Sequence, residues 1–118
     1  EQRFSAEQVQ ALAGGVAAAL AHLHGRGILH GDLYAHNLLV DGQDCRLSDF
    51  GAASFFAPGS PQGPALQRLE SRAFGILMEE LLQRCDAPPT GLLQLAADCQ
   101  QPATQERPDF AEIAACLQ

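Results

Sequence analysis

Two long segments of the sequence carry apolar residues at three- and four-residue steps, and this spacing constrains the fold more than any other feature. The repeating residues of the first segment are Val9, Leu12, Val16, Leu20 and Leu23. Those of the second segment, about 65–84, are Leu66, Leu69, Ala73, Leu77 and Leu81. Such spacing places the apolar side chains on one side of an α-helix. Because Phe74 and Met78 widen the second stripe, we expect that helix to be central and buried.

The ends of the first helix have recognisable signals. Ser5 precedes the apolar stripe and Gln8 follows three residues later, a spacing typical of a capping box. Gly25 lies just after the last apolar residue, and glycine is the preferred residue after a helix C-terminus. The sequence therefore predicts a helix that begins after Ser5 and ends near Gly25.

The segments between and after these helices are shorter. Residues 28–29 could form a strand, and the apolar runs 38–40 and 45–47 flank an Asp-Gly turn, as in a β-hairpin. Residues 51–63 are rich in Gly, Pro and Ser and read as a loop. Thr90 could cap a third helix and a fourth would begin near Phe110, so we expect closing helices over about 90–118. The expected fold class is mainly α with a small β-hairpin, in one domain over 1–118.

Composition excludes some classes of function. The net charge of −7 argues against a nucleic-acid partner, which requires a basic face. No apolar run is long enough for a membrane span, and we expect neither a membrane partner nor a secretory leader. The four cysteines form no C-x-x-C pair, so reduced thiols and a cytoplasmic location are expected. All seven basic residues are arginines, and no lysine is present.

Oxygen-bearing side chains follow the short strands. Asp32 and Asn37 lie between residues 28–29 and the hairpin, and Asp49 follows the hairpin. Carboxylate and amide oxygens are the ligands that Mg²⁺ prefers, with phosphate oxygens and water completing the shell. A carboxylate beside such a site can accept a proton from a hydroxyl group. The pattern indicates a metal-nucleotide site.

At this point the sequence resembles a known family. The stretch His30-Gly31-Asp32-Leu33-Tyr34-Ala35-His36-Asn37, followed by Asp49-Phe50-Gly51, resembles the catalytic loop and metal-binding motif of eukaryotic-type protein kinases. The stretches 70–75 and 107–110 are similar to the start of the large helix and the closing Arg-Pro motif of that family's C-terminal lobe. Several motifs in the right order make a stronger signal than one. The small departures resemble compact bacterial members of the family.

The resemblance implies a role for each matching residue. Asp32 would be the catalytic residue that accepts or orients the substrate hydroxyl. Asn37 and Asp49 would hold Mg²⁺ against the phosphates of ATP, and Leu39 would lie under the adenine ring. The implied cofactors are ATP and Mg²⁺, and the implied partner is a protein substrate, with serine or threonine as the expected acceptor.

The sequence also departs from the family. No glycine-rich loop or β-strand lysine is present, so the N-terminal lobe would be a missing partner and the isolated 118 residues should be inactive. Glu70 replaces an aspartate that normally binds the catalytic-loop backbone, and one more methylene could still permit that contact. Gly59 stands where the family has a glutamate, so Arg107 must find another partner.

Two other functions remain open. The His30-Gly31-Asp32-Leu33 stretch also matches small-molecule kinases of the aminoglycoside or choline type. A pseudokinase-like binding module is the third hypothesis, because Gly59 replaces the family glutamate and the usual substrate-platform helix has no counterpart in the sequence.

Overall fold

The amphipathic segments form helices, in the order that the apolar spacing predicts. The computed structural model describes residues 3–31, 38–41, 44–47, 54–57 and 59–118. The helices of this part are α1 (Ala6–Gly25), α2 (Gly63–Gln83), α3 (Thr90–Asp98) and α4 (Phe110–Leu117), with a 3-10 turn at Thr104–Glu106. The strands are β1 (Ile28–Leu29), β2 (Leu38–Asp41), β3 (Asp44–Leu47) and β4 (Ser54–Phe55).

The strands form two small antiparallel sheets. Strands β2 and β3 make the predicted hairpin, with Leu38 opposite Leu47 and Asp41 opposite Asp44. Strand β1 pairs instead with β4, with Leu29 opposite Ser54. The loop prediction for residues 51–63 was therefore wrong at β4, because the pairing partner lies more than twenty residues earlier and leaves no local signal.

Helix α1 begins as its sequence predicts. The Ser5 side chain accepts a hydrogen bond from the Gln8 backbone at 3.1 Å, and the Gln8 side chain accepts one from the Ser5 backbone at 2.9 Å. The predicted C-terminal cap was wrong, because Gly25 is still helical and Arg26 is the capping residue. Gly27 follows with φ of 76°, so it is the glycine that takes the left-handed conformation.

The cap predicted at Thr90 was also wrong. Thr90 is the first residue of α3 and Pro89 precedes it. Among the described residues, no side chain forms a capping hydrogen bond at this end. Helix α4 has a capping box that we did not predict, in which the Asp109 side chain accepts from the Glu112 backbone at 2.9 Å.

The hydrophobic core lies between α1, α2, α3 and α4. Its fully buried members include Leu12, Val16, Phe74, Met78 and Ile113. Two leucines of the helices lie outside the core, because Leu69 is 58% exposed and Leu93 is 45% exposed. Both lie off the buried side of their helices.

Helices α2 and α3 pack closely at a glycine. A Cβ atom placed on Gly75 would lie 2.8 Å from the Ala96 carbonyl oxygen and 2.8 Å from the Cys99 Cβ. Contacts that short require the backbone to move, so only glycine fits without a change in the packing.

The three cysteines that follow α2 in the sequence are free thiols. Cys85 and Cys99 are buried and Cys116 is exposed. Burial, helped by the neighbouring Asp98 and Cys116, raises the pKa of Cys99 to about 12, as expected for a thiol that serves in packing. None of the helices described is long and apolar enough to cross a membrane.

Candidate active site

The predicted metal and catalytic residues lie beside the part of the chain that is described. Asp32, Asn37 and Asp49 fall outside the described residues, and so does Phe50. The backbone of Leu39 lies in β2, opposite Arg46 in the hairpin. The roles assigned to Asp32, Asn37, Leu39 and Asp49 remain predictions. The structure shows the residues that hold the neighbouring backbone in place, which we call the frame of the site.

That frame begins with Glu70, which holds the backbone immediately before Asp32. Its Oε1 accepts a hydrogen bond from the His30 backbone N–H at 2.9 Å, and its Oε2 accepts one from the Gly31 backbone N–H at 2.7 Å. Glu70 is buried and lies in α2, the central helix. The expected contact is therefore present, and the longer glutamate side chain reaches the loop backbone.

A third donor to Glu70 comes from α1. The Nε2 atom of His24 lies 2.8 Å from Oε1 of Glu70, and both side chains are at least nine-tenths buried. Glu70 thus joins the end of α1, the segment that follows β1 and α2 at one carboxylate. Such a junction fixes where residue 31 lies relative to the helical core, and Asp32 follows directly.

The protonation of Glu70 reflects these partners. Burial by itself would raise its pKa, because a carboxylate loses hydration in the interior. The hydrogen bonds from the His24 side chain and from the Gly31 and His30 backbones favour the charged form, and the net effect is a pKa below the usual value. Glu70 is therefore ionised at neutral pH, so it accepts from all three groups.

Aromatic rings enclose the buried histidine. The ring of His24 meets Phe110 edge-on at 5.0 Å and Phe56 edge-on at 6.2 Å. Phe74 lies edge-on to Phe110 at 5.4 Å on the far side. The histidine ring is thereby held in one orientation, with Nε2 toward Glu70. Its Nδ1 is buried and has no hydrogen-bond partner among the residues that the structure describes. Nothing in the sequence indicates the bond of His24 to Glu70, because the two residues are 46 positions apart.

The two phenylalanines of the loop differ in environment. Phe56 is half-buried against His24, whereas Phe55 is 86% exposed. Phe56 therefore contributes to the packing around His24, whereas Phe55 lies at the surface.

Arg107 has found carbonyl partners in place of a carboxylate. Its Nε donates to the Gln101 carbonyl at 2.6 Å and its Nη1 donates to the Arg68 carbonyl at 3.2 Å. These bonds tie the loop before α4 to the N-terminal half of α2, and a further bond joins the Ser71 hydroxyl to the Pro108 carbonyl at 2.7 Å.

Within the described ranges, no group of three or more His, Cys, Asp or Glu side chains is placed to hold a metal ion. Any divalent ion would depend on the predicted ligands Asn37 and Asp49. Their carboxylate and amide oxygens are of the chemical type that suits Mg²⁺.

Comparison with known proteins identifies protein kinases as the proteins that this chain is similar to. A family model described as the protein kinase domain matches residues 1–75. Ephrin type-A receptor 8 of Mus musculus is 29% identical over an alignment of 162 residues that covers 98% of this chain. The serine/threonine-protein kinase SIK1 of Rattus norvegicus is 43% identical over 47 residues, covering 39% of the chain. The 3-phosphoinositide-dependent protein kinase B of Dictyostelium discoideum is 43% identical over 58 residues, covering 48%.

The chain therefore belongs to the protein kinase family, of the eukaryotic type. Its matched segments span 16%, 6% and 6% of the length of those three relatives. Members of this family are phosphotransferases, which is the general class of activity that the comparisons support.

Proposed function

We propose that this chain is the C-terminal lobe of a protein kinase that transfers the γ-phosphate of ATP to a serine or threonine hydroxyl of a protein. One observation carries the proposal. The buried Glu70 carboxylate accepts hydrogen bonds from the backbone N–H groups of His30 and Gly31, which immediately precede Asp32, at 2.9 and 2.7 Å. Phosphoryl transfer depends mostly on the positions of the reacting groups. A buried carboxylate that fixes the backbone before Asp32 would therefore help to position the Asp32 side chain.

Each site residue has a separate task in this proposal. The Asp32 carboxylate would orient the acceptor hydroxyl and take up its proton as the oxygen attacks phosphorus. Leu39 would give the adenine ring an apolar surface. Asn37 and Asp49 would hold Mg²⁺, which when bound neutralises charge on the phosphate oxygens.

A further segment must complete the site. The chain contains no lysine, and the family's ATP-anchoring group is a lysine. We propose that an N-terminal lobe supplies it and that these 118 residues alone have no phosphotransferase activity. A cytoplasmic location belongs to the same proposal and is supported by the free thiols of Cys85, Cys99 and Cys116.

The test is transfer of radiolabel from ATP with Mg²⁺, using the chain joined to its N-terminal lobe. Three acceptors are offered in separate reactions: a mixed protein substrate, an aminoglycoside and choline. Label on serine or threonine of protein supports the proposal. Label on a small molecule would instead identify an aminoglycoside- or choline-type kinase, and label nowhere would identify a binding module.

Matched carboxylate variants locate the site. Asp32→Asn and Asp49→Asn should each lower the rate at least about a hundredfold, since each removes a charge that acts on the reacting groups. Asp41→Asn, at the turn of the hairpin, should leave the rate unchanged. Equal losses in all three variants would contradict these roles.

A further inference from the structure

Two arginines of α2 and one of the loop before α4 are called the arginine cluster: Arg68, Arg72 and Arg107. Arg68 and Arg107 exchange hydrogen bonds, since the Nε of Arg68 donates to the Arg107 carbonyl at 2.8 Å and the Nη1 of Arg107 donates to the Arg68 carbonyl at 3.2 Å. Arg72 lies one helical turn beyond Arg68 on the same side of α2. The bond from Ser71 to the Pro108 carbonyl confirms that this turn of α2 faces residues 107–108.

The acceptors in this cluster are neutral. Arg107 is only 8% exposed, yet its hydrogen bonds go to carbonyl oxygens of Gln101 and Arg68. Over the described ranges, no member of the cluster forms an ion pair with a carboxylate, although Glu106 is adjacent in sequence. Elsewhere the pairing is ionic, as in the bond of 2.6 Å between Arg3 and Asp86.

A buried guanidinium group without a counter-ion leaves positive potential that carbonyl dipoles only partly offset. Spare donors remain, because no described acceptor meets Nη2 of Arg107 or either terminal nitrogen of Arg68. These nitrogens reach solvent, since the buried side-chain polar atoms without a partner in the described part of the chain include only Nδ1 of His24. The cluster therefore offers unused, charged donors at the surface of a chain whose net charge is −7.

We propose that the arginine cluster binds a compact oxyanion, a carboxylate or a phosphate group. Guanidinium groups bind such anions through paired N–H donors, and a partly buried site strengthens each bond because water competes less. The proposal is independent of phosphotransfer, because none of the three arginines is among the residues assigned to ATP or Mg²⁺.

The first experiment compares anions by thermal unfolding of the purified protein. Sodium phosphate, sodium acetate and sodium chloride are titrated at one pH and one ionic strength. An anion that binds the folded state raises the midpoint temperature in a saturable way. We expect a rise with phosphate above that with chloride; a matching rise with acetate would assign the site to carboxylates as well. Equal curves for all three salts would overturn the proposal.

The second experiment places the anion. The double variant Arg68→Gln/Arg72→Gln keeps the buried Arg107 and should still fold, yet it should weaken phosphate binding at least about tenfold. The matched control is Arg26→Gln, an exposed arginine at the end of α1, which should bind as the parent protein does. Unchanged phosphate affinity in the double variant would overturn the proposal. Transfer of label from ATP is scored separately, so failure here leaves the proposed kinase function standing.

Discussion

Glu70 and Arg107 are two buried charged groups that meet the same helix, and they are stabilised in different ways. Glu70 receives three donors, from the His24 ring and the backbones of His30 and Gly31. Arg107 donates to two neutral carbonyls and has no carboxylate partner in the part of the chain that the structure describes. Glu70 differs from the aspartate of the family pattern, whereas Arg107 matches the family's Arg-Pro motif. The longer carboxylate reaches the backbone of residues 30–31, and the Arg107 guanidinium is held by backbone carbonyl dipoles.

The largest change in stability is expected when the Glu70 carboxylate is removed, and this variant tests the comparison most directly. Glu70→Ala leaves two backbone N–H groups and a buried histidine without their acceptor, so the free energy of unfolding should fall by about 3–5 kcal/mol. Urea denaturation measures the change. The matched control is Glu80→Ala, which removes an exposed carboxylate from the same helix and should cost under about 0.5 kcal/mol. Equal losses in the two variants would mean that the Glu70 junction contributes nothing beyond helix formation.

The stability contributed by Glu70 should depend on pH. Because its pKa in the folded protein is below the value of about 4.3 in an unfolded chain, the contribution is fully present above that unfolded value. It is lost as the pH falls through the lower folded pKa. The free energy of unfolding of the parent protein should therefore fall more steeply between about pH 5 and 2 than that of Glu70→Gln. Parallel curves for the two proteins would contradict the lowered pKa.

Features set by neighbouring residues were predictable from the sequence, and features set by distant contacts were not. The Ser5–Gln8 capping box and the β2–β3 hairpin are local, and both were found as expected. The pairing of β1 with β4 joins Leu29 to Ser54, and each strand has only two residues, so neither carries a periodic signal. Leu69 is another exception: it fits the apolar spacing of α2 but is 58% exposed, because periodicity does not show how wide the buried side is.

The same distinction applies to the site. The contact of residue 70 with the loop was expected from the motif, because a resemblance supplies the spatial partner that spacing alone cannot. The bond between His24 and Glu70 spans 46 residues and was not expected. The final partners of Arg107 were also unpredictable, since backbone carbonyls are present at every residue and their orientation is set only in the folded chain.

Restoring the family's aspartate would sharpen the comparison by measuring what the extra methylene contributes. Glu70→Asp shortens the side chain while the backbone of α2 stays in place. The carboxylate should therefore lose at least one of its three hydrogen bonds. We expect the free energy of unfolding to fall by about 1–2 kcal/mol, less than for Glu70→Ala. Urea denaturation of both variants in one buffer gives the ratio. An increase in stability would mean that the loop backbone moves to meet the shorter side chain and that its position is not fixed by α2.

The smallest effect is expected at Arg107. Replacing a buried charge that lacks an ionic partner by an apolar side chain of similar length removes the desolvation cost together with the hydrogen bonds. Arg107→Met should therefore change the free energy of unfolding by less than about 1 kcal/mol in a buffer without phosphate, in contrast to the loss at Glu70. If an oxyanion binds the arginine cluster, the gap between the two proteins should widen as phosphate is added, because the parent protein alone gains binding energy there. A loss of about 3 kcal/mol or more without phosphate would show that the two carbonyls compensate Arg107 as fully as its three donors compensate Glu70, and the contrast between the two groups would not hold.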